Sequence, residues 1–379
     1  MSDSRRGFLR KTLGVCWTGA ALLEQSVFRA NLARAQATPG LPLLFDLQKQ
    51  ADGVYAAIAK PAPALNCNAA IFELTDGLLI VDSHSKPSAV NALVSQVRRE
   101  VSKKPVRYIV NSHFHWDHTQ GNAGYRKLAP NADLISSEVT RELLSKNGAK
   151  KMKESDEEMR GSLEKFRRAL SAAGTPEEKA KYTRLVANTE SYLKEMQNYT
   201  PELPNVTFSR DLILRDNMHD LHLVFRGRAH TAGDVMVFCP QKKVIATGDA
   251  LHGFFPFIAD GYPKEWGNTL RTISHLDFDH VIGGHAGVQQ GKQRLYQEVN
   301  YLEELSTLVE AQKSKNVSLE QISQIVTPDK LKSLNDGGYG EFLLDGLRHY
   351  TVATPGSQDS IAGSVRTNVI EVYNALDRS

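Results

Sequence analysis

The sequence predicts an α/β fold with a charged helical hairpin inserted into it and a helical extension at its C-terminal end. Three observations carry that prediction. Short apolar runs of strand length recur along the chain and several end abruptly in an aspartate or a histidine, as in Leu78-Leu79-Ile80-Val81-Asp82. Residues 87–101, between two such runs, place Ala89, Val90, Leu93, Val94 and Val97 at helical spacing, which makes a β-α-β step. From Glu138 to about Thr200 the composition turns to Lys, Glu and Arg, broken once at Gly174-Thr175-Pro176, the pattern of two long solvated helices.

At 379 residues, 41% hydrophobic and 23% charged, the chain is ordinary globular material, long enough for one large domain or two small ones. Its formal charge of +3 comes from the first 37 residues, where Arg5, Arg6, Arg10, Lys11, Arg29 and Arg34 face only Asp3 and Glu24. Without that segment the balance is slightly negative, so the charge does not point to nucleic acid. Ser4-Arg5-Arg6-Gly7-Phe8-Leu9-Arg10 resembles a twin-arginine export signal, followed by a modestly apolar stretch over 12–23 and small residues in Ala33-Arg34-Ala35-Gln36-Ala37. Cleavage after Ala37 is expected. The apolar stretch falls short of the roughly 20 residues of a bilayer span, so the mature protein is expected in the periplasm or otherwise exported, with no stable membrane span. Of its cysteines, Cys67 and Cys239 are expected as two small buried thiols rather than a disulfide.

After residues 43–50, the runs 54–59 and 68–74 read as strands of a β-meander that turns at Thr75-Asp76-Gly77 into the strand ending at Asp82. The β-α-β step then delivers Val106-Arg107-Tyr108-Ile109-Val110, bounded by Pro105, and directly after it Asn111-Ser112-His113-Phe114-His115-Trp116-Asp117-His118. His113 and His115, two apart on a chain leaving a strand, can point to one side and bind one metal through neutral imidazole nitrogens. Asp117 and His118 come one turn later and must aim at a neighbouring point, because one tetrahedral ion has no room for four groups so close in sequence plus a substrate. Two adjacent ions are the economical arrangement.

His-x-His-x-Asp-His after a strand resembles the signature of the metallo-β-lactamase superfamily. The resemblance implies a four-layer αββα sandwich with both metals at one edge between the sheets. It also gives Asp82 a supporting role, orienting the ligand loop from behind the ligands, although an aspartate there could equally cap the helix that follows. Three more superfamily motifs follow in order. His230, in Gly227-Arg228-Ala229-His230-Thr231-Ala232-Gly233-Asp234, stands between two apolar runs where the superfamily has its third histidine, completing three imidazoles for the first metal. Val244-Ile245-Ala246-Thr247-Gly248-Asp249 repeats the strand-then-acid design, and since a carboxylate can lend one oxygen to each of two cations, Asp249 is the candidate bridge. His280-Val281-Ile282-Gly283-Gly284-His285 ends in two glycines that let the backbone pass close to the metals, and His285 joins Asp117, His118 and Asp249 at the second metal.

Between these last two motifs an aromatic loop, Phe254 to Tyr262, leaves the Asp249 strand for a helix over 264–276. His252 and Tyr262 are candidate substrate contacts, whereas the phenylalanines are expected to pack. Residues 204–225 add three short strands, and 294–310, 319–326, 339–350 and 361–376 read as helical pieces without evident chemistry. The chain thus divides into an export signal (1–37), a metallo-β-lactamase-like catalytic domain (38–290) carrying the helical insertion (138–200), and a helical C-terminal extension (291–379).

Imidazoles and carboxylates suit two Zn²⁺ ions and also tolerate iron or manganese. A pair of such ions can draw the pKa of a shared water down toward roughly 7, giving a nucleophile at neutral pH, and Asp117 is the catalytic candidate that holds it or stabilises the leaving group. The set His113, His115, Asp117, His118, His230, Asp249 and His285 looks most like that of glyoxalase II, lactonase and related hydrolases. Zinc β-lactamases with a cysteine ligand carry it where Asp249 stands, and flavodiiron-type relatives carry glutamate where His115 stands. The expected function is an exported dinuclear zinc hydrolase of a small ester, thioester, lactone or β-lactam. The alternatives are a mononuclear iron oxidoreductase of persulfide dioxygenase type, or a non-catalytic binding module whose interface is the charged hairpin. The hairpin itself suits a scaffold, a dimer contact or a lid equally well.

Overall fold

The computed structural model describes residues 43–61, 67–350 and 360–378; the export signal expected over 1–37 lies outside them. Two sheets form the centre. The first contains β1 (Phe45–Ala51), β2 (Val54–Ala59), β3 (Ala69–Glu73), β4 (Leu78–Val81), β5 (Val106–Val110), β6 (Asp133–Ser137) and β7 (Val206–Phe208), side by side in that order. The second contains β8 (Asp211–Leu214), β9 (Leu221–Phe225), β10 (Val235–Cys239), β11 (Val244–Gly248), β12 (His280–Gly283) and β13 (Gln289–Gln290), again in sequence order.

Alternation along each strand sets the layers. In β2, Val54, Ala56 and Ile58 face the second sheet, whose Leu221, Leu223, Val235, Val237 and Ala246 meet them in a sheet-on-sheet core. Tyr55, Ala57 and Ala59 face the other way, toward α1 (Pro87–Glu100), which buries Ala89, Val90, Leu93, Val94 and Val97. The outer face of the second sheet, with Met236, Phe238, Ile245 and Val281, is covered by α4 (Pro263–Ser274), α5 (Gln293–Lys313) and α6 (Ile361–Ala375), numbered after the hairpin helices below. The result is helix, sheet, sheet, helix. Residues beyond 291 therefore share one continuous core with the second sheet.

The meander runs antiparallel through β4, and α1 then crosses over to β5, which pairs parallel with β4 in the register Ile80↔Ile109 and Val81↔Val110. A crossover of this kind leaves the C-terminal ends of β4 and β5 side by side, as the β-α-β reading requires. β11 and β12 are likewise parallel neighbours, Ile245↔Val281 and Gly248↔Gly283, so Asp249 and His285 leave adjacent strand ends.

The insertion is a hairpin of α2 (Glu138–Ala172) and α3 (Pro176–Glu195). Ser137 caps α2 by accepting from Thr140 N, and Thr175 with Glu178 forms a capping box at the start of α3. Its buried apolar cluster, Met159, Tyr192 and Met196, is small and packs against Trp116 and Tyr199. Among the described residues no helix is long and apolar enough to cross a membrane, and Cys67 and Cys239 are free and buried.

Candidate metal centre

The ligand loop is shaped before any ligand is placed. Asn111 and Asn122 exchange amide hydrogen bonds of 3.0 and 2.8 Å across it, and Asn111 Nδ2 also donates to His118 O at 3.1 Å. Gly121 has to be glycine, because a Cβ there would collide with the carbonyl of Ser83. Between the asparagines, a single helical turn from Trp116 to Thr119 carries Asp117 and His118, with His115 as its N-cap.

Three nitrogens converge on the first position. His115 Nδ1 lies 3.1 Å from His113 Nε2 and 2.9 Å from His230 Nε2, with all three rings buried. Their outward nitrogens settle which atom carries the proton. His230 Nδ1 donates to Phe257 O at 3.0 Å, and a carbonyl can only accept. His115 Nε2 donates to Asp260 Oδ2 at 2.9 Å. Ser112 Oγ donates to Asp82 Oδ2, so it accepts from His113 Nδ1 at 3.0 Å. The His115 lone pair consequently faces those of His113 and His230 at about 3 Å, which repels unless a cation sits among them. A tetrahedral ion roughly 2.0–2.1 Å from nitrogen donors keeps those donors about 3.3 Å apart. The donors fit a metal.

The second position is built from Asp117, His118 and His285. His118 Nε2 is 3.3 Å from His285 Nε2, and Asp117 Oδ2 is 3.4 and 3.3 Å from those two nitrogens. Asp249 lies between the two groups. Its Oδ2 is 3.6 Å from His230 Nε2 and 3.3 Å from His285 Nε2, while Oδ1 is 3.3 Å from His118 Nε2 and lacks a hydrogen-bond partner in the protein. Oδ2 thus lies between the two groups while Oδ1 faces the second, and a carboxylate within reach of both has the disposition of a bridge. Gly284 clears room for it, since a Cβ there would strike Asp249 Oδ1.

Asp82 does not cap α1, whose N-cap is Lys86 with no side-chain bond. Both its oxygens go to the loop instead: Oδ1 accepts from Ser112 N, and Oδ2 from Ser112 Oγ and His118 Nδ1, each at 2.8 Å. It does so from a left-handed backbone, φ 67°, which aspartate tolerates better than most residues. His252 and Tyr262 separate. His252 is buried with Nε2 3.3 Å from Asp249 Oδ2, close enough to His230 and Asp249 to share a metal with them. Tyr262 instead lies under the guanidinium of Arg228, 4.4 Å from its ring centre. Of the phenylalanines, Phe255 packs in the core and Phe254 lies against His252 and His285, but Phe257 is 41% exposed with its ring 5.6 Å from that of His115.

Asp260 escaped the sequence reading. The available signal was a lone acid in an otherwise aromatic and apolar loop leaving the Asp249 strand. The C-terminal helix fixes that loop: Asn368 Nδ2 donates to Pro256 O at 2.6 Å and Glu371 Oε2 accepts from Ile258 N at 2.8 Å.

Burial holds His113 and His230 well below the usual histidine value of 6.5, with neighbouring imidazoles adding to the shift, so both are neutral donors. Burial opposes charge on His118 and His285 as well, but the carboxylates of Asp249 and Asp117 outweigh it and raise both. Despite burial, those carboxylates are held well below their usual range by the same histidines. Cys67, pushed up to about 12 by burial, stays a neutral thiol. Raised histidines stay protonated above pH 6.5 unless a cation displaces the proton, so binding at the second position must release protons and weaken on acidification. Dialysis at about pH 5.5 is expected to strip metal that is retained at about pH 7.5. Elemental analysis that finds equal retention at both would contradict this.

The sequence profile of the Metallo-beta-lactamase superfamily matches residues 62–274, more than half of the chain and all but one of the ligand candidates. The chain belongs to the metallo-beta-lactamase superfamily. Among solved structures, a metallo-beta-lactamase from Pontibacter korlensis is similar to 68% of this chain over 99% of its own, with a TM-score of 0.50 and 16% identity. A metallo beta lactamase from Erythrobacter litoralis, solved with beta mercaptoethanol in its active site, is similar to 69% of this chain over 97% of its own, with a TM-score of 0.49 and 15% identity. At such identities the first likeness shows the fold alone. The superfamily match ends at 274, so His285 rests on geometry and on its place after β12.

Proposed function

We propose that the protein is a dinuclear zinc hydrolase acting on a small ester, thioester, lactone or β-lactam. The observation that supports this is the pair of donor groups joined through Asp249. The donors suit zinc, with iron or manganese also accommodated. Bound there, the cations would lend Lewis acidity to a substrate carbonyl and bring the pKa of a water toward about 7.

The protein's own residues do the rest. Asp82, Asp260 and the Phe257 carbonyl hold three imidazoles in the tautomers that turn lone pairs inward. Asp117, ionised and facing His118 and His285, is placed to accept a hydrogen bond from the attacking water and so hold the nucleophile.

A panel of nitrocefin, lactones and thioesters tests the reading. On the hydrolysed substrate, Asp117→Asn is expected to lower kcat by about 10²–10⁴. Equal rates for both proteins would leave Asp117 without its role, and no turnover of any compound would favour a binding module. We also propose that Arg5-Arg6 directs export, so protein recovered from cells should begin at Thr38. An intact Met1 or Ser2 would contradict that.

A further inference from the structure

The inserted hairpin reaches the centre through one basic side chain. Lys151, on α2, places Nζ 2.6 Å from Asp260 Oδ2, the same oxygen that accepts from His115 Nε2 at 2.9 Å. The three residues come from the hairpin, the aromatic loop and the ligand loop, and the chain brings Lys151 and Asp260 together across 109 positions. Lys151 Nζ also lies 5.9 Å from the ring centre of Phe114, between the two first-position histidines in sequence, and 3.4 Å from Glu154 Oε2.

The hairpin is tied down beside the ligands. Tyr192 OH donates to Gln120 Oε1 at 2.9 Å, and the Trp116 and Tyr192 rings lie 6.3 Å apart. At the far end of α3, Glu195 accepts from Ser88 N and Ser88 Oγ, both at 2.6 Å, at the start of α1. Trp116 and Gln120 bracket Asp117 and His118 in sequence, so the elements that seat the hairpin also seat the ligand loop. Lys151 arrives at Asp260 in a fixed position.

We propose that Lys151 is a positioning residue of the first metal position, which makes the inserted hairpin a working part of the centre. One accepted hydrogen bond leaves a carboxylate free to turn about both side-chain torsions. A second, charge-assisted donor on the same oxygen fixes it. A fixed Asp260 holds the His115 ring with Nδ1 toward His113 and His230. A partner that orients a ligating histidine in this way typically changes metal affinity by about 10–100-fold. The inference rests on the metal-centre reading above.

The test uses the full mature chain as wild type, Lys151→Met, Lys151→Arg and Asp260→Ala, each loaded with zinc and titrated with a chelator. Melting of the metal-free proteins is measured in parallel. Lys151→Met and Asp260→Ala are expected to release one ion at roughly tenfold lower chelator concentration. Lys151→Arg, which keeps a donor to Asp260, should hold it near the wild-type level, and the metal-free Met and Arg variants should melt with the wild type. Wild-type retention by Lys151→Met would overturn the proposal. So would a loss that Arg does not restore and that accompanies an equal drop in metal-free melting, since that marks a merely structural lysine. A wild-type chain that binds no zinc at all would sink the centre itself, an outcome distinct from two bound ions and an indifferent Lys151→Met.

Discussion

Asp249→Ala is expected to empty the second position, loosen the first, and abolish hydrolysis rather than slow it. The carboxylate is within reach of both donor sets, 3.3 Å from His285, His118 and His252 nitrogens and 3.6 Å from His230. On the proposed dinuclear reading, losing it would remove a shared ligand and the negative charge that offsets two cations in a buried site. Even an outer partner costs about 10–100-fold in metal affinity, so a bridging ligand should cost at least about 100-fold. The measurement is metal per chain after dialysis, alongside kcat/KM on the substrate that the panel identifies. A variant that keeps two ions and measurable turnover would show that Asp249 is not the bridge.

Asp82→Ala should be the substitution most damaging to stability. It strands three buried donors at once, Ser112 N, Ser112 Oγ and His118 Nδ1. Each stranded group costs about 1–3 kcal/mol, and breaking a buried network of this kind about 3–5 kcal/mol in total. A melting temperature lower by roughly 5–10 °C follows for a domain of this size. Alanine also fits the left-handed backbone at φ 67° less well than aspartate. Asp82→Asn keeps that backbone but replaces one acceptor oxygen with an NH₂ that must face a donor, so it should rescue only part of the loss. Melting curves of metal-free protein decide the matter, and an unchanged midpoint for Asp82→Ala would refute the network's importance.

The donor groups were legible in the sequence because most of them follow a strand end, and strand ends announce themselves locally through short apolar runs that stop at a polar residue. Val110 to Ser112, Gly248 to Asp249 and Gly283 to His285 are all of this kind. The four layers were expected only through the resemblance to the superfamily, and the structure gives their reason: Val54 to Ala59 and Val235 to Cys239 are buried on both faces and need cover on each side. What holds the ligands was legible only in part. Asp82, expected behind the ligand loop through the resemblance, meets His118 across 36 positions, whereas Asp260 meets His115 across 145, a contact that no local periodicity encodes. The hairpin illustrates the limit best: its charge pattern names two solvated helices, but a surface lysine that pairs with Glu154 in the same helix looks like any other until Asp260 is folded beneath it. Of the two expected substrate contacts, the fold places His252 against Asp249 and stacks Tyr262 on Arg228.

The central claim is that two cations share this donor set, and the most direct test is a metal count on protein purified without added metal. Elemental analysis is expected to return two zinc ions per chain at about pH 7.5. A single iron per chain, or a chain that takes up no metal, would contradict the account.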